Sequence, residues 1–240
     1  MINQNIYRII LTLFIISPTI AQDDFEKWRI QEEEDLSNLS ENETERLIAI
    51  TREFDKYAEE QDRLFSEFRD EVEKKWDVFR FSSKKIYVDY DEDLSSRGTI
   101  DFENGEVEVE VLVGQENGSS TEDIDNIARQ KLQKKIEKII IKPADDKKPI
   151  LHGQLQNKSG RKVTNVNAKN FSEEVVKSNR ATKKQIKSKD KKNRVKYTVK
   201  FKLVPDHLKT RTERYKNDVL SQAKRHNLPP NLVCAIIHTE

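Results

Sequence analysis

Apolar residues recur along this chain with two different periods, and the change of period divides it. Leu47, Ile50, Phe54, Tyr57, Leu64, Phe68, Val72 and Trp76 follow at steps that keep side chains on one face of a helix. Just ahead, Ser40 and Glu43 have the spacing of a capping box, in which a hydroxyl and a carboxylate satisfy the free amides of a helix start. The pattern predicts a long amphipathic helix beginning near residue 40, its apolar stripe buried as core. Past Trp76 the period falls to two, through Ile86 to Tyr90, Thr99 to Phe102, and Val107, Val109, Val111 and Val113 interleaved with Glu106, Glu108 and Glu110. Three strands follow, the last with a buried valine face and a wet glutamate face. Asn104-Gly105 has the composition of a type I′ hairpin turn, whose two central residues both need positive φ.

Ser120 with Asp123, followed by Ile124, Ile127, Ala128, Leu132, Ile136 and Ile139, signals a second helix that ends before Pro143. Pro149 to Leu155, a turn at Lys158-Ser159-Gly160 and Val163 to Val166 suggest another hairpin, with a short helix over Phe171 to Val176. From Lys177 to Lys202 basic residues crowd together; the first part reads as an exposed loop, and Val195, Tyr197, Val199, Phe201 and Leu203 alternate with bases as a final strand. Thr210 and Glu213 repeat the capping-box spacing ahead of Tyr215, Val219, Leu220 and Ala223, and Asn227-Leu228 breaks that helix. Pro229-Pro230 opens another, apolar on nearly every side through Leu232, Val233, Ala235, Ile236 and Ile237, as suits a helix inside a larger domain. The class predicted is α+β: a long N-terminal amphipathic helix, then a mostly antiparallel sheet with packed helices, then the beginning of a helical region.

With 35% hydrophobic against 36% charged residues, much of the chain must be solvated surface or exposed helix. The net charge of +1 conceals an asymmetry: acids dominate from Gln22 to Asp125, and from Asn126 onward bases exceed acids by about three to one. That distribution predicts a charge dipole. At the N-terminus Arg8, the apolar run Ile9 to Ile16, and Ser17-Pro18-Thr19-Ile20-Ala21 make a cleavable secretory signal cut after Ala21. The run is shorter than the roughly 20 apolar residues a membrane helix needs. With no cysteine near the cleavage site no lipid anchor is expected, and the processed protein is expected to be exported and soluble. Gln22 to Leu39 is acidic and reads as a flexible tether or weak helix.

His152, His207, His226 and His238 lack metal-ligand spacing, Cys234 on its apolar helix reads as core filler, and no glycine-rich phosphate loop occurs. Neither a metal nor a cofactor is expected. The basic run has two readings: a solvated lysine face, or contact with anionic envelope surfaces through Lys183, Lys184, Lys187, Lys189, Lys191 and Lys192. Nucleic acid is not expected, because an exported protein rarely meets it and no aromatic recognition motif accompanies the lysines.

Val204-Pro205-Asp206-His207-Leu208, Ala223 to Pro230, and Leu232-Val233 with Ala235-Ile236-Ile237-His238-Thr239-Glu240 together resemble the junction between the two domains of the membrane-bound lytic murein transglycosylase C family. Ile100 to Gly105 and Leu151 to Leu155 leading into Ser159-Gly160 are similar to the same family, so the resemblance spans roughly Phe68 to Glu240. It implies that Glu240 is the lone acid/base of a lysozyme-like domain. That acid would protonate the oxygen between N-acetylmuramic acid and N-acetylglucosamine, then assist attack by the muramoyl 6-hydroxyl to leave a 1,6-anhydro end. An intramolecular nucleophile removes the need for a second carboxylate. The acid must start neutral, which an apolar setting such as Ala235-Ile236-Ile237 favours.

Family members continue with a serine, an Asn-Pro turn, and Gly-Leu-Met-Gln-like and Ala-Tyr-Asn-like segments that are absent here. The expected organisation is a signal peptide (1–21), an acidic segment (22–39), an α+β domain of the family's N-terminal type (40–204), and the truncated start of the lysozyme-like domain (205–240). Such a portion would not cleave glycan as it stands. A non-catalytic peptidoglycan-binding or scaffold module is the alternative.

Overall fold

The computed structural model describes residues 26–32, 41–115, 120–144 and 146–239. The expected signal peptide, Ser40 and Glu240 lie outside the described residues. The chain divides into two compact units, one ending at Phe79 and one beginning at Arg80.

In the first unit residues 26–32 are helical, and α1 runs over Glu41–Glu73. Ion pairs one turn apart brace its surface, Arg63 with Glu60 and Glu67 and Arg69 with Glu73. Only part of the apolar stripe is core. Val72 and Trp76 are buried, and Phe79 returns to pack edge-on against Phe65 and Phe68, but Ile50, Phe54 and Tyr57 are exposed. The returning chain covers the last turns of α1 and is too short to reach the earlier ones.

The second unit is built on a five-stranded antiparallel sheet of order β1-β2-β3-β5-β4. Its strands are β1 (Ile86–Tyr90), β2 (Ser96–Asp101), β3 (Glu106–Gly114), β4 (Thr182–Ile186) and β5 (Arg194–Lys202). Between β3 and β4 the chain crosses one face as α2 (Thr121–Ile141) and α3 (Ala168–Ser178); after β5 come α4 (His207–Arg214), α5 (Lys216–Arg225) and α6 (Pro230–Thr239). With the helix at 26–32 these elements confirm the α+β class. Ser120 caps α2 as its spacing predicts, its hydroxyl accepting from the Asp123 amide.

The core lies between the helices and the valine face of β3, with Leu132, Ile136 and Ile139 of α2 contributing to the same buried cluster. Phe171 of α3 meets Phe201 of β5 edge-on. Gly98 lets α2 approach: a Cβ built there would stand 1.8 Å from Ile139 Cδ1.

Four local expectations fail, each for a definable reason. The β2–β3 connection is not type I′: Asp101 pairs with Glu106, and of the intervening residues only Gly105 takes positive φ, at +61°. The Asp101 carboxylate accepts from the Glu103 and Asn104 amides and the Asn104 side chain, which fixes a longer turn. The second hairpin shrinks to a single bridge, Gln156 with Lys162, because the Asn167 side chain captures the Thr164 amide and turns the chain into α3. Residues 182–186, expected as loop, form β4; an edge strand needs one partner and tolerates lysines on both faces, so its sequence carries no alternation. Thr210 caps nothing: α4 begins directly after Asp206, which places Thr210 inside it.

Candidate functional site

The sheet face turned away from α2 and α3 is a ladder of opposed charges. Register sets Glu106 opposite Lys202 and Glu108 opposite Lys200, and both acids reach lysine ammonium groups: Lys200 Nζ lies 2.8 Å from Glu106 and 2.9 Å from Glu108, and Lys202 Nζ lies 3.0 Å from Glu106. The glutamate face is therefore not uniformly wet. Glu110 is buried, with Arg97 Nε at 2.5 Å, Lys196 Nζ at 3.3 Å and Arg80 at 3.5 Å. Burial pushes its carboxyl up, but the Arg97 hydrogen bond and the charges of Arg97, Arg80 and Lys196 outweigh that and hold it below the ordinary glutamate range. Tyr90 closes the network, accepting from Arg97 and donating to the Arg80 carbonyl.

Beside this network lies a groove of about 360 Å³, lined by Arg80, Phe81, Ile86, Val88, Thr99, Asp101, Glu106, Glu108 and Lys200. It offers fixed donors and acceptors along an apolar floor with one aromatic ring. A glycosidic general acid must begin protonated. Here Asp101 is held below the ordinary aspartate range, burial being outweighed by its turn hydrogen bonds, and Glu106 is held down by the hydrogen bonds of Lys200 and Lys202. These two carboxylates suit binding and not proton donation.

A second buried charge cluster ties β1 to α2 on the other face. Lys135 is fully buried, with its Nζ 2.7 Å from Asp89 and 2.8 Å from Asp91; Lys142 pairs with Asp89 and Lys138 with Asp91. Neither Arg97 nor Lys135 was singled out from the sequence. The available signal for the latter is that Lys135 and Lys138 of α2 and Lys142 at its C-cap lie one turn apart, a basic row that meets Asp89 and Asp91.

Of the residues considered from sequence, Glu240 lies outside the described residues. In α6, Leu232, Ile236 and Ile237 are about half exposed, and Cys234 is partly buried. His152 and His226 are exposed. His207 is buried at the start of α4, with Nδ1 3.0 Å from the Val204 carbonyl and Nε2 2.9 Å from the Phe102 carbonyl. Among the described residues no cluster of three or more His, Cys, Asp or Glu is placed to hold a metal ion, and no helix is long and apolar enough to cross a membrane.

The basic run is divided by the fold: Lys183 pairs with Asp125, Lys196 with Glu110, and Arg194 with Asp190, while Lys187, Lys189, Lys191 and Lys192 are exposed at the β4–β5 turn. The charge dipole expected from the two halves of the sequence is thus not maintained within the second unit, where acids of the first half meet bases of the second.

The α+β body extends through α4. Arg214 Nε donates to Asp146 at 2.6 Å, and its terminal nitrogens donate to the carbonyls of Lys148 and Pro149. The model of the N-terminal domain of membrane-bound lytic murein transglycosylase C matches residues 42–214. That span begins within α1, well upstream of Phe68, and ends on the arginine that anchors α4. The chain therefore belongs to the membrane-bound lytic murein transglycosylase C family, through that family's N-terminal domain.

Proposed function

We propose that this chain is the N-terminal portion of an exported peptidoglycan lytic transglycosylase, one that cleaves the bond between N-acetylmuramic acid and N-acetylglucosamine and leaves 1,6-anhydro ends. The observation that carries this reading is the family match over residues 42–214. In this reading α6 opens the lysozyme-like domain, which would cover Leu232, Ile236 and Ile237, and Glu240 is its acid/base. The signal at 1–21 would deliver the protein to the periplasm or cell envelope, with peptidoglycan as its substrate.

The test is digestion of purified sacculi by the product of the whole reading frame. Release of 1,6-anhydromuropeptides, lost on Glu240→Gln, is the expected result; intact sacculi with well-folded protein would sink the reading.

The groove favours a second role within the same envelope setting, peptidoglycan binding without cleavage. Sugars are neutral, polar and apolar-faced, and a groove with paired charges, an aromatic ring and acids held ionised offers them hydrogen bonds without reaction. Co-sedimentation of the chain with sacculi, weakened by Phe81→Ala and by Glu108→Gln, would support it. Unchanged retention by both variants would remove the groove from consideration.

A further inference from the structure

The turn joining β4 to β5 is a rigid basic knob. Arg194 donates to both carboxylate oxygens of Asp190, at 2.7 and 2.5 Å, and to the Ser188 hydroxyl at 2.8 Å. Asp190 also accepts from the Ser188 hydroxyl and the Lys192 amide, while the Lys191 amide donates to the Ser188 carbonyl. Lys191 itself sits at φ +58°, a left-handed conformation that these hydrogen bonds hold. Asp190 is the one acid between residues 187 and 194, and Arg194 neutralises it. Lys187, Lys191 and Lys192 are exposed on this frame.

The knob also lies past the last pairing of the sheet. The last pairing of β3 with β5 is Gly114 with Arg194, followed by a bond from the Gln115 amide to the Asn193 carbonyl. Residues 187–192 lie past that point, at the free end of an edge hairpin. Lysines exposed together on one short turn can meet a planar counter-surface together. A single-stranded polyanion, by contrast, is held along a groove with aromatic rings for stacking, and residues 187–194 contain no aromatic side chain.

We propose that the β4–β5 turn docks this protein on an anionic lipid bilayer through Lys187, Lys191 and Lys192. The proposal rests on the envelope location read above, which supplies such a surface. Lysine is a compact point charge that needs no shaped partner, and each one held near an anionic leaflet strengthens partitioning by roughly fivefold. Three acting together amount to about a hundredfold.

The experiment is sedimentation of the purified chain with phosphatidylcholine vesicles and with mixed phosphatidylcholine–phosphatidylglycerol vesicles at two salt concentrations. The expected result is binding to the mixed vesicles alone, weakened by salt and weakened about a hundredfold by Lys187→Gln/Lys191→Gln/Lys192→Gln. A triple of equal charge change on another exposed loop, Lys158→Gln/Arg161→Gln/Lys162→Gln, should bind nearly as the parent does. Thermal unfolding of both triples identifies any loss caused by misfolding, and Lys187→Glu alone then serves as the milder variant. Equal losses in the two triples, or no binding to the mixed vesicles at low salt, would overturn the proposal. Tighter binding to polyphosphate or single-stranded RNA than to vesicles, lost in the turn triple, would also overturn it, in favour of a polymer. Because the assay uses no sacculi, failure of the transglycosylase reading would leave its outcome standing.

Discussion

Arg97 Nε donates to the Glu110 carboxylate at 2.5 Å, and the two side chains keep 0% and 2% of their surface exposed. Removing Glu110 takes the carboxylate from the buried Arg97 guanidinium, and removing Arg97 leaves Glu110 with the longer contacts of Lys196 and Arg80. Glu110→Leu or Arg97→Met alone is expected to cost about 3–5 kcal/mol, whereas the two together should recover most of that. A double-mutant cycle by denaturant unfolding measures it, and additive losses would contradict the coupling.

The Lys135 cluster makes stability depend on acid. Burial would raise Asp89 and Asp91, but the lysine charges and hydrogen bonds bring both below the ordinary aspartate value. A lowered folded value means that the stabilisation is whole above the unfolded carboxylate range, near pH ~4, and is lost as pH falls through the folded values. The melting temperature should hold from about pH 8 to about pH 5 and drop below pH ~4. Lys135→Met should cost about 2–4 kcal/mol at neutral pH and flatten the acid limb, as scanning calorimetry across pH would record.

Gly98 is a contact, not a turn. The Cβ of Gly98→Ala meets Ile139 Cδ1, so the variant should lose about 1–3 kcal/mol by overpacking. Adding Ile139→Val removes that methyl and should return part of the loss. A double variant no more stable than the single one would place the cost elsewhere.

His207 and Gly105 form a second tight pair. A Cβ on Gly105 would stand 2.7 Å from His207 Cε1 at a φ of +61°. Gly105→Ala should cost about 1–2 kcal/mol from backbone strain alone, and more from the crowded ring. In a His207→Ala background only the strain remains, so the second step should be smaller. Hydrogen exchange at the α4 amides should rise in His207→Ala, since the ring joins α4 to the Phe102 carbonyl.

The elements most legible in the sequence were those whose periodicity and burial agree. β3 shows its valines, α2 its cap and apolar stripe, and β5 its alternation. β4 escaped because Thr182 to Gln185 are exposed, which leaves an edge strand without an alternating signal. The type I′ expectation failed because Asp101, outside the dipeptide, decides the turn. Arg97 and Lys135 were invisible for a different reason: a charged residue reads as surface until the strand register and helix packing bring its partners to it. The groove belongs to that class, since its lining comes from β1, β2, β3, β5 and the residues just before β1.

One consequence of the strand order concerns how the fold is reached. β3 stands at the middle of the sheet, yet its second neighbour, β5, follows only after α2, α3 and β4. The β1–β2–β3 meander forms from nearby segments, but closing the centre waits on a long loop and should set the rate. Until then the chain displays an open row of Val107, Val109, Val111 and Val113 on a strand with an unpaired edge, the species most exposed to aggregation or chaperone capture.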